Sequence, residues 1–352
     1  MRYILTYTIL IFSCSSVFSQ VDRDRILTFL NQPSSARVAA HGGFAIADIG
    51  SDVNAFTFNP ALYKPDSTLV LSLSNEFLFL NSNAGNIAIG KHIQQTDLNI
   101  FGGFTYFTGG EIAGYDENGV STGNFQANDI CIALGANRSL YDNLTVGATL
   151  KFAMSSYESY NANALMVDIA AAFHKPGSNA VLGLAVRNTG AELKTYNGIK
   201  ESLPFSIEAM GSVRLKHLPL RIGLVAHHLQ LWELRYANPY DLELTQSFED
   251  PFAEPAIKSY GFVDNLFRHL IIQTELSLGK REGIKIRLGY NHFRKRELSV
   301  NNLRSLAGFS GGIGIRISKF TLDYGLAFYH LAGKTHTLTL STDINSFMKK
   351  GL

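Results

Sequence analysis

The feature that most constrains this chain is a two-residue apolar rhythm that recurs from about residue 68 to the C-terminus. Leu144, Val146, Ala148, Leu150, Phe152 and Met154 alternate with Thr145, Gly147, Thr149, Lys151, Ala153 and Ser155. Phe320, Leu322, Tyr324, Leu326 and Phe328 alternate with Thr321, Asp323, Gly325, Ala327 and Tyr329. Successive strand side chains point to opposite faces, so each stretch has one apolar face and one small or polar face. Stretches of about ten such residues, repeated along a chain, are the signature of a transmembrane β-barrel.

The 352 residues are 46% hydrophobic and only 17% charged, and a barrel of that length forms one domain. No internal segment approaches the roughly 18 continuous apolar residues of a membrane-spanning helix. A net charge of +2 argues against a dedicated nucleic-acid binder, which concentrates basic residues on one face. Residues 1–19 read as a secretory signal. Arg2 supplies the positive end, 4–12 the apolar core, and Val17 and Ser19 the small residues before Gln20. A lipoprotein signal ending at Cys14 is the weaker alternative, because Phe12 is bulky for that site. With Cys14 removed, Cys131 is the one remaining cysteine; no internal disulfide can form, and the thiol reads as packed and inert.

Fourteen strands are expected, near 68–80, 86–93, 97–108, 128–138, 143–155, 161–174, 179–188, 204–216, 220–231, 266–278, 284–294, 305–317, 319–329 and 335–342. Their connections alternate in length. Those at 94–96, 139–142, 175–178, 217–219, 279–283 and 318 are short; those at 109–127, 189–203, 232–265 and 295–304 are long. Short periplasmic turns opposite long extracellular loops are the asymmetry of outer-membrane barrels, and an even strand count then puts both termini in the periplasm. The faces agree. Phe205, Ile207, Ala209, Gly211, Val213 and Leu215 form an outward set, and Ser206, Glu208, Met210, Ser212 and Arg214 an inward one. Lys151, Arg187, Arg221, Glu275, Lys285, Arg287, Arg316 and Asp323 also fall on the inward face. Each would cost about 2–4 kcal/mol in lipid at the midplane, so they are expected to pair with one another and fill the lumen.

Residues 20–66 do not alternate cleanly. A helix-compatible run at 34–40 is broken by His41-Gly42-Gly43, and Pro60 biases Asn59 toward extended geometry. Small residues with Asn and Gly suit a compact coil inside a pore. The pattern Ala36…Gly42-Gly43…Ala47…Asp52…Ala55…Asn59-Pro60-Ala61 resembles the N-terminal hatch of the FadL-type outer-membrane transporters. That resemblance implies a hatch at 20–66, with Gly42, Gly43, Asn59, Pro60 and Ala61 as its motif. It also implies a fourteen-stranded barrel, here 67–347, followed by a short basic tail at 348–352. The blocks 227–236, 262–269, 287–292 and 329–333 resemble the PorQ family of the type IX secretion system. That second resemblance implies a barrel holding a surface protein of the PorZ kind, alongside the PorU sortase and the PorV shuttle, in a complex that attaches cargo to the cell surface.

Catalytic and metal motifs are lacking. His227 and His228, as adjacent strand residues, point to opposite faces, and no Cys-rich or HExxH spacing occurs. His228 and Trp232 are read as part of an interfacial aromatic belt. The Gly311-Gly312-Ile313-Gly314 run sits inside an alternating strand with no following Lys-Ser/Thr, so it marks a bend or close packing. The long loop carrying Trp232, Tyr236, Tyr240, Phe248, Phe252 and Tyr260 is the expected partner-docking surface.

The expectation is therefore an all-β transmembrane antiparallel barrel of about 14 strands with an N-terminal hatch, integral to the outer membrane. No cofactor, metal, enzymatic activity or nucleic-acid partner is expected; its partners are lipid and the secretion proteins named above. The competing class is a FadL-like channel for hydrophobic small molecules, which an apolar lumen path near the hatch would favour; the charged inward set tilts against it.

Overall fold

The computed structural model of the chain describes residues 25–65, 69–175, 177–234, 261–279, 282–298, 305–330 and 333–348. Alternation becomes strand in the order β1 (Leu69–Phe77), β2 (Asn83–Ile93), β3 (Leu98–Thr108), β4 (Ile112–Tyr115), β5 (Ser121–Phe125), β6 (Ala127–Tyr141), β7 (Leu144–Tyr157) and β8 (Tyr160–His174). Then follow β9 (Ala180–Lys194), β10 (Ser206–Arg214), β11 (Leu220–Ala226), β12 (Leu270–Leu278), β13 (Ile284–Asn291), β14 (Phe309–Ile317), β15 (Phe320–His330) and β16 (Gly333–Asp343). Fourteen of them close into one antiparallel barrel, sealed where β1 meets β16 with Val70 opposite Asp343. The other two, β4 and β5, form a separate hairpin within the β3–β6 connection. Closure removes both sheet edges, so every ladder group has a partner without water.

The rhythm sorts the two faces as expected. Along β7, Leu150, Phe152 and Met154 are exposed, while Thr149, Lys151 and Ala153 are buried. On β10, Ser206, Glu208, Met210 and Ser212 are buried. Leu134, Ile169, Leu184, Leu288, Ile317 and Leu322 extend the exposed apolar face around the barrel. An apolar exterior of that extent is a lipid-facing surface, so the barrel spans a membrane by its strands. Among the described residues no helix is long and apolar enough to cross one.

The first barrel strand starts and the last one ends at one rim, with the short turns; the long connections gather at the other. Two tight hairpins, at 78–82 and 158–159, share the long-loop rim, so the asymmetry holds loop by loop only in part. Strand lengths are unequal. The strands β6, β7, β8 and β9 run 14–15 residues, whereas β10 to β14 run only 7–9. Short helices α1 (Ala36–Ala40), α2 (Phe262–Arg268), α3 (His292–Glu297) and α4 (Asn345–Met348) complete the fold.

Candidate functional site

Residues 25–65 lie inside the barrel and run from the long-loop rim, where Arg25 bridges Ser202, toward the short-turn rim and β1. Three of its turns begin on a side-chain cap. Ser35 accepts a hydrogen bond from the Val38 amide at the start of α1, and Asp52 accepts from Asn54 before the 3-10 turn Val53–Thr57. Asn59 accepts from Ala61, with Pro60 opening the turn Pro60–Leu62. Such caps satisfy amides that a short turn leaves unpaired. That is why Ser, Asp and Asn break up a segment that is largely packed against the barrel wall.

Each residue of the hatch motif has a place. Gly42 and Gly43 adopt φ of +83° and +93°, left-handed values that end α1. The wall approaches this turn closely. The Gly42 amide donates to Ser310 Oγ at 2.9 Å, and a Cβ on the facing Gly289 would come 2.4 Å from the Gly42 nitrogen. Asn59 Nδ2 donates to the Leu184 carbonyl at 3.3 Å, Asn137 Nδ2 donates to the Pro60 carbonyl at 2.6 Å, and Ala61 is fully buried.

On the β11–β15 flank the hatch is held by charge. Arg37 reaches Glu275 of β12 at 3.0 Å, Asp48 at 2.9 Å and Asp52 at 3.3 Å. Asp48 also takes Arg221 of β11 at 2.8 Å, and Arg287 of β13 bridges Glu275 at 2.8 Å and Asp323 of β15 at 2.5 Å. Burial alone disfavours the Arg37 charge, but Glu275, Asp48 and Asp52 outweigh it and raise the pKa. His41, buried at the end of α1, is driven the other way, to about 3. Burial is the main cause, Arg37 and Arg287 add to it, and Glu275 opposes it. A polar cavity of about 670 Å³ lies toward the short-turn rim, lined in part by Arg37, Asp52, Lys64, Lys285, Arg316 and Asp343.

A second polar group sits in the wall at mid-height. An extra residue in β9 opposite Asp168 makes a bulge that leaves Asn188 at φ +55°. The freed Asn188 amide donates to Asp168 at 2.7 Å, and Lys151 reaches Asp168 at 2.5 Å and Asn188 at 3.0 Å. Beside it Arg187 pairs with Glu208 at 2.7 Å and lies over the Phe58 ring at 4.5 Å. Of the eight inward charges expected from the sequence, Lys151, Arg187, Arg221, Glu275, Lys285, Arg287 and Asp323 are in such lumen pairs.

The opposite flank is apolar. Ile26, Leu27 and Phe29 pack with Cys131, Ala153, Ala162, Ala164 and Met166, bordered by Phe107 and Leu203. Lower down, Phe56 and Tyr63 pack on Ala88, Phe101 and Ala133. The charged inward set was expected to tilt against an apolar lumen path near the hatch; these clusters nevertheless place apolar side chains of the hatch against that face. Small inward residues between large outward ones carry little sequence signal, yet Ala88, Ala133, Ala153, Ala162 and Ala164 line this side of the lumen.

At the long-loop rim, β11 stops at Ala226, five residues before its expected end, because His228 turns left-handed at φ +55°. The pair His227 and His228 therefore does not splay across a strand; their Nδ1 atoms meet at 2.5 Å, and His228 is buried away from the membrane belt. Trp232 is 58% exposed and stacks on His269 and Phe262. Tyr236, Tyr240, Phe248, Phe252 and Tyr260, like the signal at 1–19 and the tail at 349–352, lie outside the described residues. Among the described residues no cluster of three or more His, Cys, Asp or Glu is placed to hold a metal ion. Sequence reasoning passed over Arg37, Asp48 and Asp52 as a hub; the caps at Ser35 and Asp52 were its one local trace.

No protein-family model and no curated protein matches the sequence. Solved structures do match the fold. The Pseudomonas putida toluene transporter TodX superposes with a TM-score of 0.53 at 10% identity, over 88% of this chain and 96% of that one. The CymD monoaromatic hydrocarbon channel gives 0.53 at 11% identity, over 89% and 98%. A Pseudomonas aeruginosa FadL homologue gives 0.49 at 10%, over 88% and 98%. This chain has the fold of the TodX and CymD barrels, a transmembrane β-barrel of fourteen antiparallel strands closed around an N-terminal hatch.

Proposed function

We propose that this protein is an outer-membrane barrel that passes a hydrophobic small molecule along the apolar flank of its lumen, with the hatch as a displaceable stopper. The observation that carries this reading is the slot filled by Ile26, Leu27 and Phe29 against Cys131, Ala153, Ala164 and Met166. Apolar contacts are non-directional, so an apolar ligand of similar volume can replace those side chains at little cost. The transport of toluene and monoaromatic hydrocarbons by TodX and CymD, barrels of the same fold, agrees with it. The short-turn rim then faces the periplasm. Purified protein in liposomes is expected to speed uptake of toluene or a long-chain fatty acid over protein-free vesicles. Equal rates would remove the channel reading.

A second reading rests on the PorQ-like sequence blocks and on the buried ion pairs that pin the hatch, which suit a closed anchor. Here the barrel belongs to the type IX secretion system, and the connection between β11 and β12 docks a surface protein of the PorZ kind, with PorU and PorV in the same complex. Detergent co-purification of tagged protein with mass spectrometry tests it. Deleting residues 236–260 is expected to release the partner while the barrel still assembles; partner retention would end the docking claim.

A further inference from the structure

The helix α2 is amphipathic in the wrong sense for water. Its outer face carries Phe262, Val263, Leu266 and Phe267, exposed by 63%, 61%, 39% and 44%. Its inner face carries Asn265 and Arg268, exposed by 1% and 3%. The polar groups are fully used: Asn265 Nδ2 donates to the Trp232 carbonyl at 2.5 Å and its Oδ1 accepts the Leu234 amide at 3.1 Å. Arg268 pairs with Asp264 at 2.8 Å and with Glu297 of α3 at 2.5 Å. Polar groups turned inward and apolar groups outward is the pattern of an element bathed in hydrocarbon.

We infer that α2, with Trp232 stacked on it, lies in the bilayer and completes the lipid-facing wall above β11, β12 and β13. The outer face of α2 is continuous with that wall. Phe267 packs on His292, whose Nδ1 meets the hydroxyl of outward-facing Tyr290 at 2.9 Å, and Tyr290 packs on Phe309. The helix also stands where the wall is lowest. The seven residues of β11 rise only about 18 Å at ~3.3 Å each and a tilt near 40°, short of an apolar band of about 25 Å. One end of α2 leads straight into β12, and α3 starts where β13 stops, so the missing height is made up by helix. Trp232 on this face sits as aromatic side chains do at a membrane interface.

The test needs no substitution, because Trp232 is the single tryptophan of the 352 residues. Its fluorescence is read in phosphatidylcholine liposomes with and without brominated acyl chains, and with iodide in the water. Strong quenching by the brominated lipid and weak quenching by iodide are expected. Iodide quenching without lipid quenching would place this face in water; quenching by neither would place it under protein, including residues 235–260. Either result overturns the inference. Nitroxide labels at Val263 and Leu266 in a Cys131→Ala background give a second readout. There, oxygen accessibility should exceed that of a water-soluble nickel chelate, as for a label at lipid-facing Leu184 and unlike one at Val120. Chelate accessibility equal to that at Val120 overturns the inference again.

Discussion

Between β6 and β8 the barrel wall meets residues 26–29 of the hatch with Cys131, Ala153, Ala164 and Met166; between β11 and β15 the wall that faces the hatch carries Arg221, Glu275, Arg287 and Asp323. The first contact is soft in kind. Apolar packing loses little when one apolar group replaces another of like volume. The second is directional, because each buried charge depends on named partners and loses stabilisation when one of them is removed. A hatch held in these two ways is expected to release on its apolar side before its charged side.

The largest effect should come from the charged flank. Arg37→Ala leaves Glu275, Asp48 and Asp52 without their shared guanidinium, at a cost of about 3–5 kcal/mol in hatch docking. Hydrogen exchange of residues 36–53 should rise steeply, and conductance in planar bilayers should rise with it. Unchanged exchange would show that Arg37 is not the anchor. A smaller effect is expected from Phe29→Ala on the apolar flank, about 3 kcal/mol at the low end for a buried aromatic ring. Its exchange signature should stay within residues 26–30; spread into 36–48 would mean the flanks are coupled.

The smallest effect is a pH dependence. Docked His41 is depressed to about 3, while an undocked imidazole titrates near 6.5. Docking is therefore at full strength above pH 6.5 and weakens as pH falls below it, because only the released hatch takes up the proton. The loss is on the order of 1 kcal/mol one pH unit below the free value. Exchange of residues 36–43 measured at neutral and mildly acidic pH should show the trend, and His41→Gln should flatten it. An equal slope in that variant would assign the effect to another group, His227 being the next candidate, its pKa lowered by burial and by His228.

All fourteen barrel strands were legible in the alternation, because the period of two is local and a barrel repeats it. Strand ends were not. The sequence reading carried β11 to 231 and started β12 at 266, but the left-handed turn at His228 and the helix α2 take those residues. The spacing of Phe262, Val263, Leu266 and Phe267 is helical, yet in a chain full of alternation it passes for a strand edge. The hairpin of β4 and β5 was hidden in a long loop for want of apolar alternation. In the hatch, the short run at 34–40 and its break at Gly42-Gly43 were visible and the ion hub was not. Whether Arg37 meets Glu275 depends on how residues 238 positions apart face across the lumen, and no local pattern encodes that.

The seam of the barrel joins residues 259 to 273 positions apart, and the hatch grips both sides of it. Asn54 donates to Ser72 of β1 at 2.8 Å, and Thr339 of β16 accepts the Ala36 amide at 2.8 Å. Ser341 and Ser72 then meet across the seam itself at 3.0 Å. The hatch is thus also a clasp: its departure leaves the ladder and the side-chain contacts Ser72–Ser341 and Ser74–Thr339 to hold the closing pair of strands. A hatch that moves gives up bonds to both closing strands at once, so the place where the ring is sealed is also a place that registers the position of the N-terminal segment.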